Sequence, residues 1–229
     1  EPRSWLAADL RGCAVSLRQA AGDVLWTEGR CHPLLMLAGQ SMDSARLTGP
    51  AVAYWRELAA DSERILGPGA LETLVVTGCL GEALMTAGQA TEAVPAFQRV
   101  LDGRADKLGP DHPGAIAAKV ALGRALVATG RPGDAVPLLE EALAGSELVR
   151  GADHVDTLAA REEYAAAALA AGQTAEAVRS YRHALADRER IQGSQHPGAA
   201  SASLGLAAAY LASGQAKNAI AQYKQVLAN

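Results

Sequence analysis

Aromatic residues are scarce in this sequence, and long apolar runs are missing. Phe, Trp and Tyr make up 4% of the 229 residues, whereas apolar residues make up 49%, so Ala, Leu and Val supply most of the core. These small side chains suit closely approaching helices and fit β-sheets poorly. No apolar run reaches the ~20 residues that a membrane-spanning helix needs. We therefore expect an all-α protein without a membrane segment or membrane partner.

The sequence also lacks a concentration of positive charge. Its 21 basic and 25 acidic residues give a formal charge of −4, and no Lys/Arg run stands out. Nucleic-acid phosphates would meet no basic surface, so we expect no nucleic-acid partner. The basic residues are 17 Arg and 4 Lys, a bias of GC-rich genomes that suggests a bacterial source.

Cysteine is rare. Cys13, Cys31 and Cys79 are odd in number and have no CxxC spacing, which disfavours a disulfide framework or a zinc site. We expect buried structural thiols in a reducing, cytoplasmic compartment. The chain begins at Glu1-Pro2, without an initiating Met or a secretory segment, and we interpret it as a piece of a longer protein.

Catalytic motifs are missing as well. The sequence has no nucleophile elbow, no phosphate-binding glycine loop and no HExxH. Glu140-Glu141 and Glu162-Glu163 are adjacent residues that point about 100° apart on a helix, so neither pair forms an acid–base dyad. We therefore predict that the chain is not an enzyme and needs no cofactor.

What the sequence does contain is a repeat. Glycine and alanine recur with one 42-residue period in three independent columns: Gly67, Gly109, Gly151 and Gly193; Gly88, Gly130, Gly172 and Gly214; Ala93, Ala135, Ala177 and Ala219. Such self-similarity is typical of stacked supersecondary units, each of which buries its apolar face only against its neighbours.

One repeat predicts two helices. The turn at 109–113 opens helix A, which Asp111 or His112 can cap and Pro113 can start, and which runs to about Thr129. Gly130 can take the left-handed conformation that ends the helix, and Pro132 lets helix B begin. Helix B then carries an apolar stripe with spacings of three and four: Ala135, Leu138, Leu139, Ala142 and Leu143.

The histidines of this turn share one column, as His112, His154 and His196. Equivalent positions in neighbouring repeats lie about 10 Å apart, whereas a metal requires imidazole nitrogens at about 2 Å. We therefore predict helix capping and no metal site.

These residues resemble the tetratricopeptide repeat (TPR), and more narrowly its kinesin-light-chain-like form with 42-residue repeats. The opening Leu-Gly-x-Asp-His-Pro stands at 108–113 and is partly kept at 151–155 and 193–197, while the repeat that begins at Leu66-Gly67 has lost the Asp-His pair. The resemblance covers residues 66–229. It implies a right-handed superhelical solenoid of antiparallel helix pairs.

The first third of the chain is less regular. His32-Pro33 opens a helix, Thr48-Gly49-Pro50 turns it and a second helix follows from Ala51, with spacing three or four residues short of the later repeats. We interpret 32–66 as a degenerate TPR repeat, 67–229 as four 42-residue repeats, and 1–31 as a capping helix or the end of another domain. Trp5, Trp26 and Trp55 all lie here, and we expect them to plug the end of the solenoid.

In the resembled family, helix A lines a concave groove that holds an extended peptide or a partner helix. Column by column, the groove positions here are Gly78, Val120, Glu162 and Leu204; Glu82, Arg124, Ala166 and Ala208; Met85, Val127, Leu169 and Leu211. The groove is predicted to be mostly apolar at its C-terminal end, with Glu82, Arg124 and Glu162 as scattered charges. It is either open to a hydrophobic guest or nearly closed by packing between repeats.

Two departures from the family pattern limit which of its features can be expected in this chain. The paired Asn residues with which light chains bond peptide backbone are replaced at 78–79, 120–121, 162–163 and 204–205, so light-chain cargo recognition does not carry over. Thr77, Lys119, Arg161 and Ser203 occupy a column that is usually apolar, and we expect the Lys and Arg heads to reach water.

The functional hypothesis is a non-enzymatic protein- or peptide-binding module of a larger regulatory or signalling protein. A second hypothesis is a structural arm that forms homo-oligomers through an open last repeat. A third is an accessory region that positions a substrate for an enzyme.

Overall fold

The computed structural model describes the backbone of residues 2–228 and the side chains of 11–227, and its contacts divide the chain into two compact units, 1–107 and 108–229. The first unit begins with helix α1 and a short 3₁₀ turn, continues through a two-stranded antiparallel hairpin and ends with four helices. Its elements are α1 Pro2–Ala21, the turn Gly22–Leu25, β1 Trp26–Thr27, β2 Arg30–Cys31, α2 Pro33–Ser44, α3 Thr48–Leu66, α4 Leu71–Thr86 and α5 Ala90–Leu108.

The second unit consists of three successive helix pairs in its described part. The pairs are α6 Pro113–Ala128 with α7 Pro132–Arg150, α8 Val155–Ala170 with α9 Thr174–Gln192, and α10 Pro197–Ala212 with α11 Ala216–Ala228. Consecutive helices pack against each other along the whole unit. The predicted all-α architecture of stacked antiparallel helix pairs is confirmed. None of the helices within residues 2–228 is both long and apolar enough to cross a membrane.

The turn chemistry predicted from the repeat is present. His112, His154 and His196 are the N-caps of α6, α8 and α10, and each accepts a hydrogen bond through Nδ1 from the backbone N–H two residues on, at 3.0–3.1 Å. His32 caps α2 in the same way, at 3.3 Å. Repeat 67–108 lost its Asp-His pair, and there Ala70 precedes α4 without any side-chain cap.

The two helices of a repeat approach closely at one glycine. A Cβ added at Gly81 would lie 2.6 Å from the Phe97 ring, and one added at Gly123 would lie 2.5 Å from the Leu139 side chain. Both of these partner side chains are buried. The small residue therefore sets the distance at which helix B packs on helix A.

The same contact occurs in the region 32–66. Gly39 and Trp55 stand one repeat period before Gly81 and Phe97, and a Cβ at Gly39 would lie 2.2 Å from the Trp55 ring. The predicted shortfall in spacing falls at the start of helix A, because α2 begins at Pro33, one turn later than its counterparts, and the hairpin takes the place of that turn.

The predicted turn at Thr48-Gly49-Pro50 is wrong. Helix α3 already begins at Thr48, and the turn consists of 45–47, where Arg46 has a φ of 55°. Pro50 lies in the first helical turn, where its missing N–H has no intrahelical partner to lose. The hairpin at 26–31 was not predicted either.

Buried polar side chains join successive helix pairs in the second unit. The hydroxyls of Ser146 and Thr157 are 2.7 Å apart and link α7 to α8. Arg161 on α8 donates to Glu147 on α7 at 2.7 Å and to Asp187 on α9 at 2.5 Å. The expectation that the head of Arg161 reaches water is wrong, because its residue is 8% exposed and its charge is neutralised inside the stack.

Candidate functional site

The predicted groove residues of the second unit lie along its three A helices. Helix α6 contacts α8, and α8 contacts α10, so these helices form one continuous surface. The nine predicted residues on it are partly or fully exposed, and none is buried: Val120, Arg124, Val127, Glu162, Ala166, Leu169, Leu204, Ala208 and Leu211. Leu204 and Leu211 are 45% and 50% exposed.

One predicted groove charge is already paired. Glu162 accepts a hydrogen bond from Arg188 Nε at 2.7 Å, and the two side chains are only 15% and 9% exposed. Arg188 lies on α9 and also donates to Gln192 at 3.1 Å. The carboxylate of Glu162 is thus a link between α8 and α9, and one of the predicted groove charges is already neutralised within the unit.

In the first unit, α4 carries the three remaining predicted residues, Gly78, Glu82 and Met85, of which none is buried. Helix α2 supplies Met36, Gln40 and Asp43 at the same repeat columns, and the sequence-based groove omitted them. The column that could have found them begins at Gly39, one repeat period before Gly81.

A cavity of about 720 Å³ opens on this face of the first unit. Helices α2 and α4 and the hairpin β1–β2 supply its lining residues. The lining residues are Glu28, Gly29, Arg30 and Cys31 from the hairpin, Pro33, Met36, Leu37 and Gln40 from α2, and Leu71, Glu72 and Val75 from α4. We call this space the hairpin cavity. Its volume is in the range of ligand pockets in proteins.

Glu72 is held in place at the wall of the hairpin cavity. Its Oε1 accepts hydrogen bonds from the backbone N–H of Cys31 at 3.3 Å and from the Cys31 thiol at 3.1 Å. Burial raises the pKa of the Cys31 thiol to about 12, and the neighbouring carboxylate adds to the increase. Cys31 therefore stays protonated at neutral pH and acts as a donor rather than a nucleophile.

Further carboxylates lie around Cys79, which is half-buried on α4. Burial raises the pKa of this thiol to about 11, and Asp43, Glu82 and Glu72 raise it further by their negative charge, against the opposing effect of Arg104. This side of the first unit is consequently acidic.

In the part of the chain that the structure describes, no group of three His, Cys, Asp or Glu residues could hold a metal ion. The prediction of buried thiols is wrong for Cys13, which is exposed on α1, whereas Cys31 is buried and Cys79 is half-buried. Trp26 and Trp55 are buried, and the side chain of Trp5 lies outside the described residues.

A family model of the tetratricopeptide repeat matches residues 71–148 and 156–229. A search of curated proteins returns no match.

Solved structures of TPR proteins superpose on this chain. A kinesin-light-chain-type protein with nearly identical TPR-like repeats from Podosopora anserina shares 29% identity over 85% of this chain and 92% of its own, with a TM-score of 0.75. BtubC (BKLC) from P. vanneervenii has 15% identity and a TM-score of 0.76, over 96% of this chain and 89% of its own. YrrB, a TPR protein with an unusual peptide-binding site, has 18% identity and a TM-score of 0.53, over 85% and 84%.

Proposed function

Because the chain belongs to the tetratricopeptide repeat family, we propose that it is a non-enzymatic module that binds a peptide or protein segment on the surface of its A helices, within a larger regulatory or signalling protein. One observation carries this proposal. The A helices of the second unit present a continuous strip of partly exposed small and aliphatic side chains, while the carboxylate of Glu162 is neutralised by Arg188. Contiguous exposed apolar surface rimmed by polar residues marks interaction sites.

The comparisons support a peptide guest but do not identify its sequence. YrrB shares the fold and has a peptide-binding site. TPR helices offer preformed, rigid surfaces, so an extended or helical segment can dock with little ordering of the protein.

A display experiment tests the proposal. Random peptides are selected on the immobilised full chain, and the affinity of the best peptide is then measured by fluorescence anisotropy. We expect Leu204→Asp to weaken it more than tenfold, because a buried leucine contributes about 1.5–3 kcal/mol to an interface. Arg124→Glu should also weaken it.

Leu148→Asp provides the matched control. Leu148 is 82% exposed on helix α7, outside the A-helix surface, so the same change should leave the affinity unaltered. The proposal fails if no peptide is enriched, or if the A-helix variants bind as tightly as the control.

A second function, homo-oligomerisation, is favoured by the exposed side chains of α11. Ile220 is 52% exposed although Val136 and Val178 in the same column are 9% and 8% exposed. Leu227 is 87% exposed although Leu185 is 8% exposed. Helices α7 and α9 each pack against the A helix that follows them. We propose that α11 of a second copy covers this apolar face in solution.

A further inference from the structure

The hairpin cavity has a composition that selects a particular kind of guest. Its aliphatic wall includes Leu37, Leu71 and Val75, which are 57%, 44% and 37% exposed, together with Met36 and Pro33. Side chains this apolar gain stability when a guest removes them from water. Because the cavity is about 720 Å³, it can accept one or two aliphatic side chains of an extended segment.

A fixed negative charge lies beside this apolar wall. Both hydrogen bonds from Cys31 end on Oε1 of Glu72, and Oε2 has neither a hydrogen bond nor an ion pair with any residue whose side chain the structure describes. The carboxylate is therefore oriented in advance and still able to accept a donor from a guest.

The charges around the cavity favour a cation. Glu28 and Glu72 line it, and the carboxylates of Asp43 and Glu82 act on the neighbouring Cys79. The opposing positive charges are Arg30 in the lining and Arg104 near Cys79. A guest with a carboxylate would meet repulsion at this surface, whereas an ammonium or guanidinium group would be attracted.

We propose that the hairpin cavity is an anchor site for a peptide segment in which an aliphatic residue stands next to a lysine or arginine. The aliphatic side chain enters between α2 and α4, and the basic side chain pairs with Glu72. The proposal rests on the function proposed above and assigns the first unit a specificity that the apolar surface of the second unit lacks.

Methyl NMR on the full chain tests this proposal with defined probes. Two peptides of equal length, acetyl-Gly-Ser-Leu-Arg-Ser-Gly-amide and the same peptide with Glu in place of Arg, are titrated to millimolar concentration against protein labelled at the methionine methyls. Met36 lines the cavity, whereas Met42 is buried on α2 and serves as an internal reference. We expect the Arg peptide to shift the Met36 signal and to bind about tenfold tighter than the Glu peptide.

The variant Glu72→Gln keeps the shape of the side chain and an oxygen that can accept from Cys31. It should weaken the Arg peptide about threefold to fivefold and leave the Glu peptide unweakened, because only the charge is lost. Glu92→Gln is the control, since Glu92 pairs with Arg56 on the exposed side of α5 and should change neither affinity.

The proposal is overturned if Met36 does not shift at millimolar peptide, if the Glu peptide binds as tightly as the Arg peptide, or if Glu72→Gln has no effect. A displayed peptide that still depends on Leu204 would then leave the general binding function standing. If neither Leu204 nor Glu72 affects any peptide, both proposals fail.

Discussion

Gly81 shows how a single residue sets the geometry of a helix pair. The Phe97 ring occupies the space where a Cβ would be, so helix α5 can approach α4 only because the side chain is a hydrogen. Gly78, one turn earlier on the same helix, has open space around it. Close packing therefore requires a glycine at position 81, whereas no neighbouring atom excludes a larger side chain at position 78.

Alanine substitution should separate these roles. We expect Gly81→Ala to lower the free energy of unfolding by about 1–3 kcal/mol through overpacking. Gly78→Ala should raise it by up to about 1 kcal/mol, because alanine has the higher helix propensity. Urea denaturation followed by circular dichroism measures both. Equal effects of the two variants would contradict the close-approach explanation.

The three cysteines should differ in reactivity. Cys13 is exposed, whereas the raised pKa values of Cys31 and Cys79, about 12 and 11, keep both as thiols near neutral pH. Because the thiolate is the reactive form, an aromatic disulfide reagent should titrate one thiol in the native protein and three after denaturation. Rapid reaction of all three in the native state would contradict the burial of Cys31 and the partial burial of Cys79.

The same shift predicts a pH dependence of stability. The pKa of Cys31 in the folded protein lies above its ordinary value of 9.0, so folding favours the protonated thiol. Stability is unaffected by this group below about pH 9 and decreases as the pH rises toward 12. Cys31→Ala should reduce that alkaline loss, as measured by the urea midpoint across pH 8–11.

At the scale of the helices, the stack of the second unit is connected by charge as well as by apolar packing. Arg161 joins three consecutive helices, α7, α8 and α9, through one guanidinium. A guanidinium can serve two carboxylates at once because its donors form a rigid planar fork. Arg188 plays a similar part between α9 and α8.

Removal of Arg161 should be costly. Arg161→Ala takes away the cation that pairs with both Glu147 and Asp187, and both carboxylates are only partly exposed. We expect a loss of about 2–3 kcal/mol of unfolding free energy. Arg179→Ala is the control, because Arg179 is 70% exposed in its pair with Glu176 and should contribute less than about 1 kcal/mol. Equal losses would contradict a buried network.

At the scale of the whole molecule, the sequence predicted the helix pair of each repeat but not the polar contacts that join successive repeats. The 42-residue columns predicted the helix pairs, and the histidine column predicted the caps, because both depend on neighbours within one repeat. The Arg161–Glu147 pair, by contrast, joins α8 to α7 of the preceding repeat, so it depends on how successive helix pairs pack against each other. The hairpin was missed because two-residue strands carry no alternation of apolar and polar residues.

Some of the missing information was present at a longer period. Residues 62, 104, 146 and 188 are Ser, Arg, Ser and Arg, and residues 73, 115, 157 and 199 are Thr, Ala, Thr and Ala. The structure pairs the helices at these columns through Thr73 with the Ser62 carbonyl and through Ser146 with Thr157. A doubled period, two repeats long, therefore marks where polar links alternate. No comparable periodic pattern in the sequence marks the residues of the hairpin cavity.

The proposed pairing of two copies gives a prediction for the oligomeric state of the whole molecule. If the α11 face pairs two copies, sedimentation equilibrium should report a dimer, and Ile220→Asp should convert it to a monomer without loss of helix content. Leu148→Asp should leave the dimer intact, because Leu148 lies on α7 and not on α11. A monomer at all concentrations would contradict the proposed pairing.

The distribution of tryptophan gives the chain a built-in optical label. Trp5, Trp26 and Trp55 all belong to the first unit, and the second unit has tyrosine but no tryptophan. Trp26 also faces Cys31 across the hairpin, next to the proposed anchor site. Tryptophan emission therefore reports on the first unit alone, while far-ultraviolet dichroism reports on both. Comparison of the two spectra during unfolding or titration would assign each event to one unit without any added dye.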